Sequence, residues 1–267
     1  MFTVIKRSLS LNSSIIFFVA FVFSILIPVA VSADDIDGKS IIADIEKRLW
    51  GKTSQGTYKM TISTAYWKRT LSLSVFMQRP DKSFIRILSP AKEAGVGSLR
   101  IKNEMWNYLP KIERVVKVPP SMMLQSWMGS DFTNDDLVKE SSMINDYTHE
   151  ITSTPVDDNI ALGNEPAYQI ISIPKPNAPV VWGKLVYVVR KSDLMPLSFN
   201  YFDERGRLIK SLTFSNVREI EGRQIPTRWE MRSTDKPKNA TVFELVDITF
   251  DKPIPKRVFT LRNLRGR

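Results

Sequence analysis

The stretch that decides the fold is MWNYLPKIERVVKVPPSMMLQSWMGSDFTNDDLVKESS, residues 105–142. Residues 105–109 alternate as a strand does, with Trp106 and Tyr108 on one face and the intervening asparagine on the other. A β-prone run follows, and Pro119-Pro120 ends it because proline donates no ladder hydrogen bond. The stretch therefore predicts two short strands and then a change of structure.

The residues after the two prolines favour a short helix over 121–129, begun by Ser121 as N-cap and ended by Gly129. So short a helix cannot bury large apolar side chains against itself, so we expect it to lie on a sheet or to cover an apolar hollow. The flanking prolines and Gly129 isolate it, which favours a movable lid. Its large apolar residues are Met122, Met123, Leu124, Trp127 and Met128.

The motifs NYLPK, VPPSMM and SWMGSDFTNDDL, in this order, resemble the LolA-like outer membrane lipoprotein-sorting proteins of Gram-negative bacteria. The match is close over residues 75–145 and agrees in element order over 58–264. The resemblance implies a curved antiparallel sheet, an incomplete (half-open) β-barrel, that wraps an apolar ligand while short helices close its mouth. It also implies a periplasmic carrier that works with an inner-membrane exporter of the resistance-nodulation-division type. The ligand-gating arginine of the better-known carrier is not carried over, because no arginine here lies in a matching motif.

Residues 1–33 are predicted to be a cleaved signal peptide. Lys6 and Arg7 precede an apolar run, and a small-residue site predicts cleavage after Ala33. The apolar run is shorter than the roughly 20 residues of a membrane span, although an uncleaved anchor is the alternative. The chain has no cysteine, which excludes a lipid-modified cysteine, disulfides and thiolate sites. We therefore expect a periplasmic protein with one carrier domain, residues 34–267.

The charge of the chain favours anionic membrane surfaces or acidic partners. The formal charge is +10, and loss of Lys6 and Arg7 with the signal peptide lowers it to +8. A nucleic-acid partner is not expected, since an exported chain without aromatic-basic repeats lacks the usual binding pattern. Residues 251–267 are predicted to be a basic, solvated tail that Phe259, Leu261 and Leu264 partly tack down. The alternative is a contact for anionic lipid or a transporter.

Hydrophobic periodicity separates one helix from a long series of strands. Residues 34–51 predict an amphipathic helix that buries Ile41, Ile42, Ile45 and Leu49 and turns Lys39, Asp44, Glu46 and Lys47 to water. From Gly56 the period is two, and short connections favour antiparallel neighbours. The predicted fold is mainly β, with about eleven strands: 58–62, 71–77, 84–88, 98–101, 105–109, 168–173, 184–190, 197–202, 208–217, 227–232 and 241–250.

The inward face of this sheet has too few helices to cover it. Curling the sheet around its own apolar face solves the problem and leaves either a filled core or a cavity. The residues alone do not separate these two outcomes, and the family resemblance favours the cavity. Methionine suits such a cavity because its flexible side chain adapts to ligands that vary. The candidate ligand-binding residues are Met60, Met77, Trp106, Tyr108, Met122, Met123, Leu124, Trp127, Met128, Trp182, Phe214 and Trp229.

Catalytic chemistry is not indicated. The sequence has no G-x-S-x-G, P-loop, H-E-x-x-H or G-x-G-x-x-G motif, and its only histidine, His149, has no serine in an activated context. The run from Asp131 to Asp136 lacks the glycine and glutamate of a calcium loop, so capping and turn formation explain it better. We expect no enzyme activity, no cofactor and no metal.

The sequence thus predicts a monomeric carrier that binds the acyl chains of a lipoprotein or lipid and moves them across the periplasm. A transient membrane contact and an exporter partner go with that role. A lipid-acting hydrolase using His149 and an envelope assembly factor with a filled core remain the alternatives.

Overall fold

The protein is built mainly of β-strands that pair in antiparallel fashion with their neighbours. The computed structural model describes residues 37–139, 143–152 and 165–266, and these belong to one compact unit. The predicted signal peptide, residues 1–33, lies outside the described residues.

Thirteen strands form one sheet in the order β6-β5-β4-β3-β2-β1-β13-β12-β11-β10-β9-β8-β7. Every neighbour in the sheet is also a neighbour along the chain, except that β1 pairs with β13. The sheet is curved and unclosed, with β6 and β7 at its edges. The strands are β1 Thr53–Ser63, β2 Lys68–Gln78, β3 Lys82–Ser89, β4 Gly97–Ile101, β5 Glu104–Leu109, β6 Arg114–Lys117, β7 Tyr147–Thr152, β8 Ala167–Pro174, β9 Lys184–Arg190, β10 Pro196–Phe202, β11 Leu208–Ile220, β12 Arg223–Ser233 and β13 Ala240–Phe250.

The predicted mainly β, half-open fold is confirmed, but the predicted strand number is too low. The two further strands are β6 and β7, the short edge strands of the sheet. Each of them pairs on one side only, and β6 has just four residues. β6 lies in the β-prone run that precedes Pro119-Pro120, although the count of about eleven leaves it out, and β7 has little hydrophobic alternation that could predict it.

Within the described residues, the sheet is accompanied by four α-helices: α1 Gly38–Trp50, α2 Asn134–Lys139, α3 Met143–Asp146 and α4 Leu261–Leu264. The side chain of Asp37 caps α1 by accepting a hydrogen bond from the backbone N–H of Lys39 at 3.1 Å. The four predicted apolar residues of α1 are buried. The prediction for Glu46 is wrong, because this side chain is buried against Arg79. Across the three described ranges, no helix is long and apolar enough to cross a bilayer.

The sheet carries apolar clusters on both faces. The main core lies between the sheet and α1, whereas a second cluster holds Trp106 and Tyr108 against Phe84, Phe259 and Leu264. The neighbouring Met105 faces the main core. Because the C-terminal segment folds back over β3 and β4, this part of the sheet is covered on both sides. The predicted tacking of the tail by Phe259 and Leu264 is confirmed, while Leu261 stays 39% exposed.

The predicted single helix over 121–129 is wrong. Two 3-10 turns, Pro120–Met122 and Trp127–Gly129, occupy this stretch. Met128 and Gly129 both have positive φ values, 52° and 73°, so the chain reverses there rather than continuing a helix. An isolated bridge between Ser126 and Thr133 closes the reversal. The stretch is therefore a compact loop that leads into α2.

Candidate functional site

An apolar cavity lies between the inner face of the sheet, α1 and α2. Its volume is about 110 Å³, which is smaller than the roughly 300–1,000 Å³ of typical small-molecule sites. The lining residues are Ile42, Ile45, Glu46, Leu49 and Trp50 from α1; Tyr58, Val75, Met77, Ser83 and Ile85 from β1 to β3; Phe132, Asp136, Leu137 and Met143 around α2 and α3; and Tyr187, Phe199, Tyr201, Leu212, Phe214, Trp229 and Phe243 from β9 to β13.

Aromatic rings form a continuous part of the cavity wall. The ring centroids of Trp50 and Trp229 are 4.9 Å apart, and Phe214 lies 6.0 Å from Trp229 and 4.6 Å from Phe199. Tyr187 continues the series 4.7 Å from Phe199. Edge-to-face contacts of this kind favour one orientation of each ring. The lining methionines add flexible side chains, so the cavity combines a fixed wall with adaptable surface.

A carboxyl group interrupts the apolar wall. Glu46 is 8% exposed, and its Oε2 accepts a hydrogen bond from Arg79 Nη2. Arg79 Nη1 donates to the backbone carbonyl of Glu46 at 3.1 Å. In the described part of the chain, no hydrogen-bond partner reaches Glu46 Oε1. Burial raises the pKa of Glu46 to about 7, against the opposing effect of the Arg79 charge.

Replacement of Glu46 by glutamine is expected to change how stability depends on pH. A carboxyl whose pKa is raised by folding contributes most below its unfolded value, and that contribution is lost as pH rises towards the folded value. Between pH 4.5 and about 7 the wild type should therefore lose up to about 3 kcal/mol relative to Glu46→Gln. Urea unfolding of both proteins across this range measures the difference.

Asp44→Asn is the matched control for this prediction, since Asp44 lies exposed on the same helix. Its stability difference from the wild type should not depend on pH in the same way. An opposite trend for Glu46→Gln, with the wild type gaining stability as pH rises, would show that the attraction to Arg79 outweighs burial.

A second buried ion pair fastens α2 to the sheet. Lys210 Nζ lies 2.5 Å from Asp136 Oδ2, and the two side chains are 3% and 8% exposed. The same oxygen accepts from the Thr133 N–H at 2.6 Å and from its hydroxyl at 2.9 Å, and Thr133 Oγ1 accepts from the Asp136 N–H at 3.2 Å, so the two residues cap the start of α2 reciprocally. The ammonium group also lies 4.8 Å from the Trp182 ring centroid and 5.0 Å from that of Tyr201.

The structure brings some of the twelve candidate residues to the cavity. Met77, Phe214 and Trp229 line it directly. A second group belongs to the same apolar core or packs against it: Met60, Met123, Trp127, Met128 and Trp182.

The other four candidates lie away from the cavity lining. Trp106 and Tyr108 pack in the cluster on the opposite face of the sheet. Met122 and Leu124 are 42% and 57% exposed on the loop. The predicted orientation of β5 is wrong, because the size of an aromatic side chain does not indicate which face of a strand belongs to the main core when both faces are covered.

The loop over 121–129 is held to the sheet at several points. Trp127 is 3% exposed and its indole N–H donates to Ser98 Oγ at 3.1 Å. Arg69 Nη2 donates to the backbone carbonyl of Met128. Thus the loop is anchored through a buried indole and a charged hydrogen bond, while the residues that line the cavity follow it in the chain: Phe132, Asp136, Leu137 and Met143.

Sequence reasoning missed the contributions of α1, α2 and β9 to the cavity, and the two ion pairs. The periodic spacing of isoleucine or tyrosine residues predicts which face of a helix or strand is buried, but it does not predict whether that face lines a cavity. Arg79 and Glu46 are 33 residues apart, and Lys210 and Asp136 are 74 apart. The one available signal was Lys210 itself, a charge placed on the inward face of an otherwise apolar alternation.

His149 has a structural environment. Its Nδ1 lies 2.6 Å from Ser172 Oγ and its Nε2 lies 3.3 Å from the carbonyl oxygen of Ile144. Burial lowers the pKa of His149. Ser172 is fully buried in β8, so its hydroxyl has no access to a substrate. The pair joins β7 to β8 and does not resemble an exposed nucleophile with its base.

Comparison with known proteins agrees with this architecture. A family model described as that of an uncharacterized protein matches residues 79–266, more than half of the chain. The chain belongs to that family. No curated protein matches the sequence.

Three solved structures show that the fold is LolA-like. A DUF1329 family protein from Desulfovibrio piger has a TM-score of 0.73 and 22% identity, covering 85% of this chain and 97% of its own. A putative outer membrane lipoprotein-sorting protein domain from Vibrio parahaemolyticus has a TM-score of 0.72 and 20% identity, covering 85% and 98%. A LolA superfamily protein from Nitrosomonas europaea has a TM-score of 0.70 and 19% identity, covering 85% and 99%.

Proposed function

We propose that this LolA-like protein is a periplasmic carrier that binds the acyl chains of a lipoprotein or lipid in its cavity. The observation that carries the proposal is the cavity inside the half-open sheet, whose lining is almost entirely apolar. Such a space suits a chain-like apolar ligand, because each buried methylene contributes about 0.8 kcal/mol. Ten buried methylenes would contribute roughly 8 kcal/mol before the cost of association.

The proposed cellular context rests on the predicted signal peptide, the charge of the chain and its family resemblance. Cleavage after Ala33 would release a monomeric mature protein with a formal charge of +8, which favours transient contact with anionic membrane surfaces. An inner-membrane exporter of the resistance-nodulation-division type is the proposed partner, and the outer membrane is the proposed destination. The protein supplies binding and orientation of the cargo, and a competing partner supplies its release.

We also propose that the loop over 121–129 acts with α2 as the movable cover of the cavity. Met123 and Met128 pack against the core beneath, and Leu137 on α2 lines the cavity. The contacts that hold this cover to the sheet include the Trp127 indole, the Arg69 guanidinium and the Asp136–Lys210 pair. Movement of such a cover would open the apolar space without breaking the ladder of the sheet.

Mass spectrometry of the protein purified gently from the periplasm tests the carrier function. The organic extract is expected to contain acyl-chain lipid in stoichiometric amount, and the stripped protein should bind a fluorescent fatty acid. The same measurement on protein unfolded in urea is the control. Absence of lipid together with absence of fatty-acid binding would refute the carrier function and favour an assembly factor with a filled core.

A further inference from the structure

We propose that the end of the sheet that carries the β1–β2 hairpin is a docking surface for an anionic lipid bilayer. The inference rests on the proposed function, since a carrier of acyl chains must meet a membrane when it loads or releases them. This surface, the hairpin end, consists of the β1–β2 turn, residues 64–67, and the neighbouring β12–β13 turn, residues 234–239. Register places these turns together, because Ser63 pairs with Ala240.

The hairpin presents two aromatic side chains to solvent. Tyr66 is 95% exposed and Trp67 is 46% exposed. The turn itself is ordered: the Thr64 N–H donates to the Trp67 carbonyl at 2.9 Å, and the Trp67 N–H donates to Thr64 Oγ1 at 3.1 Å. The turn leaves the Tyr66 ring in solvent, while the Arg69 guanidinium carbon lies 5.5 Å from the centroid of the half-exposed Trp67 ring. Tyrosine and tryptophan favour the membrane–water interface, where the apolar ring and the polar group are both accommodated.

Exposed lysines accompany these rings. Lys68 follows the aromatic pair at the start of β2, and Lys236 and Lys238 lie in the β12–β13 turn. Asp235 is the single acidic residue of these two turns. Lysines beside interfacial aromatic residues complement the negative surface potential of a bilayer. The combination of exposed interfacial aromatic rings with exposed lysines is typical of contact with an anionic membrane, so we take the bilayer as the partner.

The hairpin end also lies beside the cover of the cavity. Arg69, next to Lys68, donates to the Met128 carbonyl, and the Asp131 N–H donates to Thr241 Oγ1 at 2.9 Å. The following residue, Phe132, lines the cavity with its ring centroid 5.1 Å from that of Phe243. Docking of this end would thus bring the loop over 121–129 and one wall of the cavity towards the bilayer.

Flotation with lipid vesicles tests the surface, using mature wild-type protein and two paired variants. Vesicles of phosphatidylethanolamine with phosphatidylglycerol should bind the protein, and vesicles of phosphatidylcholine should bind it at least about tenfold more weakly. Both Tyr66→Ser/Trp67→Ser and Lys236→Glu/Lys238→Glu should lower binding to anionic vesicles by about fivefold or more. High salt should weaken the wild type further, because the lysines are exposed.

Two matched control variants change residues that lie away from the hairpin end: one replaces an exposed apolar side chain, and the other replaces two exposed lysines. Val246→Ser changes a residue that is 59% exposed on β13, and Lys102→Glu/Lys252→Glu reverses two exposed charges away from the hairpin end. Both should bind vesicles within about twofold of the wild type if the surface is local. Equal losses in the control and hairpin variants would overturn the inference, as would binding only to vesicles that contain envelope proteins.

Fatty-acid binding by the same proteins separates this inference from the carrier function. The hairpin variants should bind a fluorescent fatty acid as the wild type does, because their substitutions lie outside the cavity lining. A wild type that binds the fatty acid but no vesicle would overturn the docking surface and leave the carrier function standing. A wild type that binds vesicles but no fatty acid would overturn the carrier function and the loading role of docking with it.

Discussion

Val75→Trp is expected to reduce acyl-chain binding at least about 100-fold while the protein remains folded. Val75 lies on β2 and its side chain lines the cavity. It stands directly opposite Ile85 of β3, which also lines the cavity. An indole at this position would extend into the space that the ligand needs, and the sheet backbone would not have to move. Titration with a fluorescent fatty acid measures the loss.

The matched control is Val246→Trp, which places the same indole on an exposed position of β13. Its affinity should equal that of the wild type. Thermal unfolding shows whether either variant is damaged, since a loss of 1 kcal/mol lowers the midpoint by about 2–4 °C in a domain of this size. Ile85→Trp provides a second obstruction from the neighbouring strand. Folded Val75→Trp and Ile85→Trp proteins that bind normally would show that the acyl chain does not occupy this cavity.

The sequence predicted those features that depend on local periodicity. The alternation in β1 and β2 placed Met60 and Met77 on the inner face, and both are buried there. The spacing of the isoleucines in α1 identified the face that meets the sheet. In each case the burial of a residue follows from the geometry of its own strand or helix, so a window of about ten residues contains the information.

The cavity itself depends on contacts between distant segments. Phe199, Phe214 and Trp229 form one wall only because β10, β11 and β12 are adjacent in a curved sheet. Trp106 was placed inward because the return of Phe259 across β3 and β4 could not be read from local alternation. Glu46 was placed in water for the same reason, since its partner lies on the β2–β3 connection. Such tertiary pairings override the local pattern, and they set the chemistry of the site.

Replacement of only one residue of the Asp136–Lys210 pair is expected to destabilise the protein by about 3–5 kcal/mol. In Asp136→Ala the ammonium group of Lys210, 3% exposed, would remain buried without its carboxylate. The loss also removes the hydrogen bonds that Thr133 donates to Asp136 at the start of α2. Urea unfolding measures the change in free energy, and acyl-chain binding should weaken because α2 supplies Leu137 to the cavity wall.

Removing both charges together should recover most of this loss. In Asp136→Leu/Lys210→Met both charges of the pair are absent, and apolar side chains would lie beside Trp182 and Tyr201, the rings that now face the ammonium group. Replacement of a buried ion pair by apolar residues of similar volume is often neutral or stabilising. Lys117→Met, which breaks a half-exposed pair with Glu104, is the control and should cost about 1 kcal/mol or less. The opposite result is a double variant whose loss in unfolding free energy equals the sum of the losses in Asp136→Leu and Lys210→Met. It would show that the two charges do not stabilise each other, and that the Thr133 cap and apolar packing alone hold the cavity cover.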